Sequence, residues 1–243
     1  MSIEIQDALK EIIAYTHSLG FLELVKVTGA ESSTELTSTA NDRAVLLKSK
    51  FLQPVTDFSG VFGLHNLGLL DTILTIPEYQ TGAVIKVKTS NNIPSSITFT
   101  NAAGDFHNEY RFMSKEIIES QLPTKTRKEI HWDVSVGPSV NAIQRLKFQS
   151  QAVGNTVKTF KARTEDGNLI FSLGDNSNTG EFVFQSGVSG SIGNPHEWSI
   201  QKVQGILNLV GNKTLDISDM GAMQITVTSG LAIHQFTIAA SLQ

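Results

Sequence analysis

Residues 213–243, KTLDISDMGAMQITVTSGLAIHQFTIAASLQ, alternate apolar and polar side chains in three short runs separated by small or polar residues. Alternation of this kind is typical of β-strands that are buried on one face. Residues 83–112, AVIKVKTSNNIPSSITFTNAAGDFHNEYRF, have a similar rhythm. An apolar segment with helical spacing precedes each stretch, so the chain presents one arrangement of a helix and three strands twice, about half its length apart.

The first half of the chain begins with a predicted helix over residues 5–19. Its core-facing side carries Ile5, Ala8, Leu9, Ile12, Thr16 and Leu19. Further elements are predicted in this order: a strand at 21–27, a hairpin of 35–40 with 43–51, a helix at 66–76 that Pro77 ends, and strands near 83–89, 96–100 and 107–113. Proline cannot continue a helix, because it lacks the amide hydrogen that the helix needs.

The second half repeats this order. The predicted elements are a strand at 130–136, a helix at 139–153, a strand at 155–163, a hairpin of 168–173 with 181–186, a helix at 197–211 and three last strands. The core-facing side of the first of these helices is predicted to carry Val140, Ile143, Leu146, Ser150 and Val153. The polar segment 114–129, which contains Pro123, separates the halves, so we predict an α+β protein with domains at 1–113 and 130–243 joined by a linker.

Composition excludes several classes of function. The 243 residues include no cysteine, which rules out disulfides, thiolate metal sites and cysteine nucleophiles. No basic segment precedes a long apolar core at the N-terminus, and no apolar run approaches the roughly 18 residues of a membrane span. We therefore expect a soluble cytoplasmic protein without membrane contact, in the host cell cytoplasm if the source is a virus.

The sequence contains no spacing that is typical of a catalytic, metal or cofactor site. The six histidines are far apart in sequence: His17, His65, His107, His131, His196 and His234. The glycine-rich segment 187–193 lacks the lysine of a phosphate-binding loop, and Asp216 and Asp219 occupy a predicted turn, where capping is their ordinary role. We expect no catalytic residue, no metal and no cofactor.

Four stretches, together with the repeated order of elements, resemble the DNA sliding clamps of tailed bacteriophages. They are FSGVFGLHNLGLLDTIL at 58–74, GAVIKVKT at 82–89, VNAIQRLKFQSQAV at 140–153 and GAMQITVTSGLAIHQFTIAA at 221–240. The resemblance covers nearly the whole chain. It implies a duplicated sliding-clamp fold, in which each of two similar units has two helices packed on antiparallel sheets. Rings of this family contain six units, so two units per chain imply a homotrimer.

The resemblance also implies that the helices face duplex DNA inside the ring. A ring stays on DNA by topology and needs only weak, non-specific contact with phosphates in order to slide. A net charge of −4 is compatible with this if a few basic and amide groups lie on the inner face. The candidates are Lys10, His17, Asn141, Gln144, Arg145, Gln151, Gln201 and Lys202.

Two further contact surfaces follow from the resemblance. Rings of this family close by adding an edge strand of one subunit to the sheet of the next, and strands 107–113 and 181–186 are the candidates. Their interface side chains would be His107, Glu109, Arg111, Glu181, Val183 and Gln185. Partners, mainly the DNA polymerase and the clamp loader, insert a peptide between the two units, and position suggests Val45, Leu46, Leu122, Pro123, Ala239, Ala240 and Leu242.

Two other classes of function remain open at this point. A non-catalytic β-rich structural or assembly protein, such as a phage virion component, could also use two similar halves. Its oligomeric state and its effect on a polymerase would distinguish it from a processivity factor. A small hydrolase or ligand-binding β-protein is the third reading, and it would require an apolar cavity with convergent acids.

Overall fold

A computed structural model of the protein describes residues 3–90, 93–122, 129–154, 156–174 and 179–241. The chain divides into two compact units. The first consists of Met1–Thr126 with Ser229–His234, and the second of Arg127–Thr228 with Gln235–Gln243. The predicted boundaries around 114–129 stay a prediction, but residues 229–234, which we predicted in the second domain, group with the first unit.

The helices confirm the four that the sequence predicts and add one. Their bounds are α1 Ile5–Tyr15, α2 Leu67–Thr75, α3 Lys115–Gln121, α4 Val140–Ala152 and α5 Ile200–Leu207. The additional helix, α3, lies within the segment predicted as a linker. Among the described residues, none of these helices is long and apolar enough to cross a membrane.

The first unit contains two antiparallel sheets. Its strands are β1 Val25–Ala30, β2 Ser33–Thr39, β3 Val45–Phe51, β4 Gly60–Leu64, β5 Val84–Ser90, β6 Ile93–Thr100 and β7 His107–Arg111. Four neighbouring strands have the order β4-β1-β2-β3, and a second sheet has the order β5-β6-β7. The predicted hairpin is therefore β2 and β3, which pair with Thr39 opposite Leu46.

The second unit has the same two kinds of sheet. Its strands are β8 Val134–Val136, β9 Thr159–Glu165, β10 Asn168–Gly174, β11 Thr179–Ser186, β12 Glu197–Ser199, β13 Asn212–Ser218, β14 Ala222–Thr228 and β15 Ala232–Ala239, whose first three residues belong to the first unit. One set of strands has the order β11-β10-β9-β12 and the other β15-β14-β13-β8.

The chain path repeats between the units. In the first, the strand that follows α1 lies between the second and the fourth strand, and α2 then leads into three consecutive strands. In the second, β9 follows α4 and lies between β10 and β12, and α5 then leads into β13, β14 and β15. The structure thus confirms the duplication that the element order predicts.

Each unit has a core of its own. In the first, α1 buries Leu9 and Ile12, and α2 buries Leu70, all with no exposed surface. In the second, the ring centroids of Phe160 and Phe171 are 4.6 Å apart. Fully burying one such side chain contributes about 1.5–3 kcal/mol, so these clusters supply much of the stability of both units.

Two predictions about the second unit are wrong in detail. Val140 is 73% exposed, because α4 buries Ala142 and Leu146 and helical spacing places Val140 on the other side. It is the first residue of the helix, next to Ser139, whose hydroxyl accepts a hydrogen bond from the amide of Ala142 at 3.1 Å. Residues 197–199, predicted as helix, form β12, and Ser199 caps α5.

Candidate nucleic-acid interface

Helix α4 packs closely on strand β11 in the second unit. At Gly180 the two elements touch, since a Cβ atom there would lie 1.5 Å from Nε2 of Gln149, the flexible end of a side chain on the helix. The buried side of α4 carries Ala142 and Leu146.

Helix α5 is joined to α4 by one glutamine. The Gln204 amide nitrogen donates to the carbonyl of Leu146 at 3.1 Å and to the hydroxyl of Ser150 at 2.8 Å. The start of α5 is held by Ser199, whose hydroxyl accepts from the amide of Lys202 at 3.4 Å. The two helices therefore form one surface in the second unit.

The charge on this surface has a single sign. The residues of α4 and α5 include Arg145, Lys147 and Lys202, and no aspartate or glutamate. Among the described residues, no carboxylate pairs with Arg145 or Lys147. Cations without acidic neighbours on a helix surface attract polyanions such as the nucleic-acid backbone.

Most of the DNA-facing candidates of the second unit lie on this surface. The exposed ones are Asn141, Gln144, Arg145, Gln151 and Gln201. Lys202 is half-buried. The sequence reasoning missed Lys147, which is exposed, because counting Val140 as a core residue shifted the assumed phase of the helix.

The helices of the first unit carry acidic side chains beside their cation, whereas α4 and α5 carry none. Lys10 is exposed and shares a groove of about 410 Å³ with Asp71, and α1 also carries Asp7 and Glu11. His17 is half-buried, and its Nδ1 lies 2.9 Å from the carboxylate of Glu23. The candidates Lys10 and His17 thus have acidic surroundings, unlike Arg145 and Lys147 of α4.

The first of the two predicted interface strands, β7, is at one end of the three-stranded sheet. The amide of Phe112 donates to the carbonyl of Ser95 at 2.9 Å, and bonds to one neighbour recur at every second residue of an antiparallel strand. The backbone groups of His107, Glu109 and Arg111 therefore point away from β6. Their side chains are exposed.

The second predicted interface strand, β11, is at one end of its four-stranded sheet. Glu181 and Val183 are exposed there, and Gln185 is half-buried. A hydrogen bond from Arg163, with N and O 2.7 Å apart, lowers the pKa of Glu181, and a second bond from Ser172 adds to the effect.

Glu109 on β7 is held in a similar way. Hydrogen bonds from Ser96, at 2.7 Å, and from Lys88, at 3.3 Å, lower the pKa of Glu109. Each of the two edge strands, β7 and β11, therefore carries an ionised glutamate that already accepts hydrogen bonds from neighbours on the same sheet.

The residues suggested for peptide binding differ in accessibility. Val45 is buried without exposed surface, which leaves nothing for a peptide to contact there, and Leu122 is 9% exposed. Leu46 and Ala240 are half-buried, and Ala239 is exposed. Pro123 and Leu242 lie outside the described residues.

The acids that could have served a hydrolase are engaged in structure. The Asp219 carboxylate accepts hydrogen bonds from the backbone amides of Gly193 and Asn194, each at 2.8 Å, so it organises the glycine-rich loop. The hydroxyl of Ser135 donates to Asp216 at 2.6 Å. Within the described part of the chain, no group of three or more histidine, aspartate or glutamate side chains could hold a metal.

Comparison with known proteins gives a likeness only in structure. No protein-family model matches the chain, and no curated protein matches it. Three similar solved structures are of proliferating cell nuclear antigen (PCNA). The protein from Entamoeba histolytica has a TM-score of 0.67 at 10% identity, with 98% of this chain and 94% of that one covered.

The other two come from A. fulgidus and Thermococcus kodakaraensis. PCNA from A. fulgidus, bound to the C-terminal region of FEN-1, has a TM-score of 0.68 at 9% identity. The match covers 98% of this chain and 95% of the A. fulgidus chain. PCNA from Thermococcus kodakaraensis has a TM-score of 0.67 at 11% identity, with 98% of both chains covered. Over nearly its whole length, the chain has the sliding-clamp fold of the PCNA proteins.

Proposed function

We propose that this protein is a DNA sliding clamp, which encircles duplex DNA and tethers the replicative DNA polymerase to make synthesis processive. The observation that carries the proposal is the repeated chain path of the two units, along a chain that matches PCNA over 98% of its length. The basic helices of the second unit favour this proposal over the two further readings, a virion component and a small hydrolase.

The proposed ring contains three chains. Two similar units per chain and six per ring require a homotrimer. The edge strands β7 and β11 supply the surfaces through which neighbouring chains would pair to close the ring. Pairing between such strands also protects edges that would otherwise favour aggregation.

The proposed contact with DNA is electrostatic and weak. Arg145, Lys147 and Lys202 on α4 and α5 would meet phosphates, and the exposed amides beside them would donate hydrogen bonds. Three cations per chain provide attraction without the strong hold that would stop the ring from sliding. The more acidic helices of the first unit would further reduce the total attraction between the ring and DNA.

The proposed partners are a DNA polymerase and a clamp loader, and the proposed location is the cytoplasm, of a host cell if the protein comes from a bacteriophage. One of the similar PCNA proteins is bound to a peptide, the C-terminal region of FEN-1. By analogy we propose that partners of this protein dock a short peptide, with Leu46 and Ala240 as accessible candidates.

The first experiment tests the ring by mass. Light scattering over a concentration series should give about 79 kDa, three times the 26.4 kDa of one chain. A monomer at every concentration would exclude the ring.

The second experiment tests the surfaces that close it. Because the chain has no cysteine, the double variant Arg111→Cys/Val183→Cys can form disulfides only between the introduced residues. Oxidation should give covalent dimers and trimers, whereas either single variant should not give trimers. His107→Cys and Glu109→Cys, each combined with Val183→Cys, test the neighbouring registers, and failure of all three pairs contradicts this interface.

The third experiment tests encirclement without a loader. The double variant is mixed with nicked circular plasmid under reducing conditions and then oxidised, so that rings close around the DNA. A clamp should co-elute with the circular plasmid and be released when the plasmid is linearised. Equal retention on linear DNA indicates ordinary binding, and no retention favours a structural or assembly protein.

A further inference from the structure

Helix α4 has two large apolar side chains on its outward side. Val140 is 73% exposed and Phe148 is 62% exposed. With Gln144 between them they follow the i, i+4, i+8 spacing of a single helix face. We call Val140, Gln144 and Phe148 the α4 ridge.

The ridge is not part of the core. The helix buries Ala142 and Leu146, which lie on the opposite side. The aromatic cluster of the second unit includes Phe160 and Phe171, and among the described residues no aromatic ring contacts Phe148. More than half of the Phe148 side chain is therefore accessible to a partner.

The charges beside the ridge restrict what that partner can be. Helical spacing places Arg145 on one side of the ridge and Lys147 on the other, and α4 has no acidic residue. A partner that complements the surface must therefore be anionic at its margins and present a flat apolar face to Phe148.

Duplex DNA does not meet this requirement, because its bases are stacked on one another and it presents phosphates and groove edges. Single-stranded DNA does meet it. Its phosphates can pair with cations while an unstacked base lies against an aromatic ring, which is how many proteins bind single strands.

We propose that the α4 ridge is a binding site for single-stranded DNA, in which Phe148 stacks on an unstacked base and Arg145 and Lys147 pair with the flanking phosphates. This inference rests on the proposed DNA-binding role of α4 and extends it. Such a site would let the protein recognise DNA next to the end of a duplex, as well as the duplex itself.

The test uses probes that separate bases from phosphates. Fluorescence anisotropy at low salt compares a labelled oligothymidylate, an abasic oligonucleotide of the same length and backbone, and a duplex of that length. The wild-type protein should bind oligothymidylate about fivefold or more tightly than the abasic strand, since stacking on one aromatic side chain is typically worth that much or more.

Variants of one position identify the interaction. Phe148→Ala and Phe148→Leu should both lose the preference for oligothymidylate, whereas Phe148→Trp should keep it. Met220→Ala, which removes an exposed apolar side chain of the second unit outside the ridge, is the matched control and should keep the preference. All four variants should retain binding to the duplex, because Arg145 and Lys147 are unchanged.

Four outcomes overturn the proposal. They are equal binding of both single strands by the wild type, an unchanged preference in Phe148→Ala, a preference in Phe148→Leu equal to that of the wild type, and a change in oligomeric mass in Phe148→Ala. The third would indicate an apolar contact rather than stacking, and the fourth a contact with a second copy of the chain. If duplex binding and encirclement persist without a base preference, only this inference fails. If no DNA is bound, the proposed function fails with it.

Discussion

Nε2 of His234, near the C-terminus, lies 2.9 Å from Oε1 of Glu11 on the first helix. Nδ1 of the same imidazole lies 2.9 Å from the hydroxyl of Ser49, and the ring of Tyr15 stacks on it at 3.9 Å. His234 has no exposed surface and Ser49 only 4%. The order Ser–His–Glu is that of a hydrolytic triad, but no substrate can reach this serine, so we assign the network to the structure of the first unit.

Loss of the Glu11 carboxylate should destabilise the first unit. Glu11→Ala removes the partner of Nε2 of the buried His234 and the acceptor of one hydrogen bond from the Ser229 hydroxyl. Leaving a buried polar group unsatisfied costs about 1–3 kcal/mol, and urea unfolding should show a loss of at least that size. Glu4→Ala, at an exposed position that makes no capping bond, is the control and should change little.

A second measurement separates this network from general damage to the helix. Burial first, and then the charge of Glu11, raise the pKa of Tyr15. Glu11→Gln keeps the shape of the side chain and removes the charge, so the pKa of Tyr15 should fall while the fold is retained. A titration followed by nuclear magnetic resonance of labelled tyrosine would detect this fall. An unchanged pKa of Tyr15 would contradict its proximity to the Glu11 carboxylate.

A methyl group at Gly29 should disrupt the first unit. A Cβ atom there would lie 1.7 Å from the backbone oxygen of Phe58, and a backbone atom cannot rotate away as a side chain can. Gly29→Ala should therefore cost about 1–3 kcal/mol or more in urea unfolding. Gly137→Ala, where a Cβ atom meets nothing within 4 Å, should be nearly neutral, and equal losses in both variants would refute the argument.

The pH dependence of stability should include a contribution from Glu181. Arg163 and Ser172 hold the pKa of this carboxylate below its ordinary value of 4.5. A lowered pKa in the folded state gives stability that is fully present above pH 4.5 and is lost as the pH falls through the folded value. The effect should be small, because the pair is exposed.

Urea midpoints measured at neutral pH and at successively lower pH values below 4.5 would follow this contribution. Glu181→Gln should lower the midpoint slightly at neutral pH, and the difference from the wild type should shrink as the pH falls. Glu31→Gln, at an exposed turn position, is the control and should change the midpoint at neutral pH less than Glu181→Gln does. If Glu181→Gln lowers the midpoint more in acid than at neutral pH, the pH dependence has the opposite sign to the one expected, which contradicts the Arg163 contact.

Local patterns predicted most elements of this fold, but not α3, β4 or β12. The spacing of Leu9 and Ile12 gave the buried side of α1, and Pro77 marked the end of α2, because both depend on neighbours within a turn or two. The helix phase of α4 was misjudged because valine at 140 has the chemistry of a core residue. Its exposure depends on which side of α4 packs into the core, the side of Ala142 and Leu146, and that is decided by residues distant in the sequence.

Contacts between distant parts of the chain could not be predicted. His234 and Glu11 are separated by 223 positions, and no local pattern links them. Likewise, the sequence identified Asp219 as a turn residue but not as the acceptor that holds the glycine-rich loop through Gly193. The difference in charge between the helices of the two units was visible in the sequence, yet it became informative only once α4 and α5 were known to share a surface.

The basic surface of the second unit should dominate binding to duplex DNA. Arg145→Ala/Lys147→Ala removes two cations from helices that have no acid, whereas Lys10→Ala removes one that shares its groove with Asp71. Each lost phosphate contact lowers the slope of log affinity against log salt by about 0.9. The double variant should therefore reduce this slope by about 2 and weaken binding at low salt, while Lys10→Ala should have the smaller effect per charge.

A salt series of anisotropy measurements on one duplex would test this prediction, with the oligomeric mass of each variant measured in parallel to show that assembly is intact. Arg43→Ala removes an exposed cation from the turn between β2 and β3 and should leave the slope unchanged. If Lys10→Ala weakens binding as much per charge as the double variant, both units contribute equally. The acids of α1 and α2 would then be too well screened to oppose binding, and the assignment of the interface to α4 and α5 would have to be extended to the first unit.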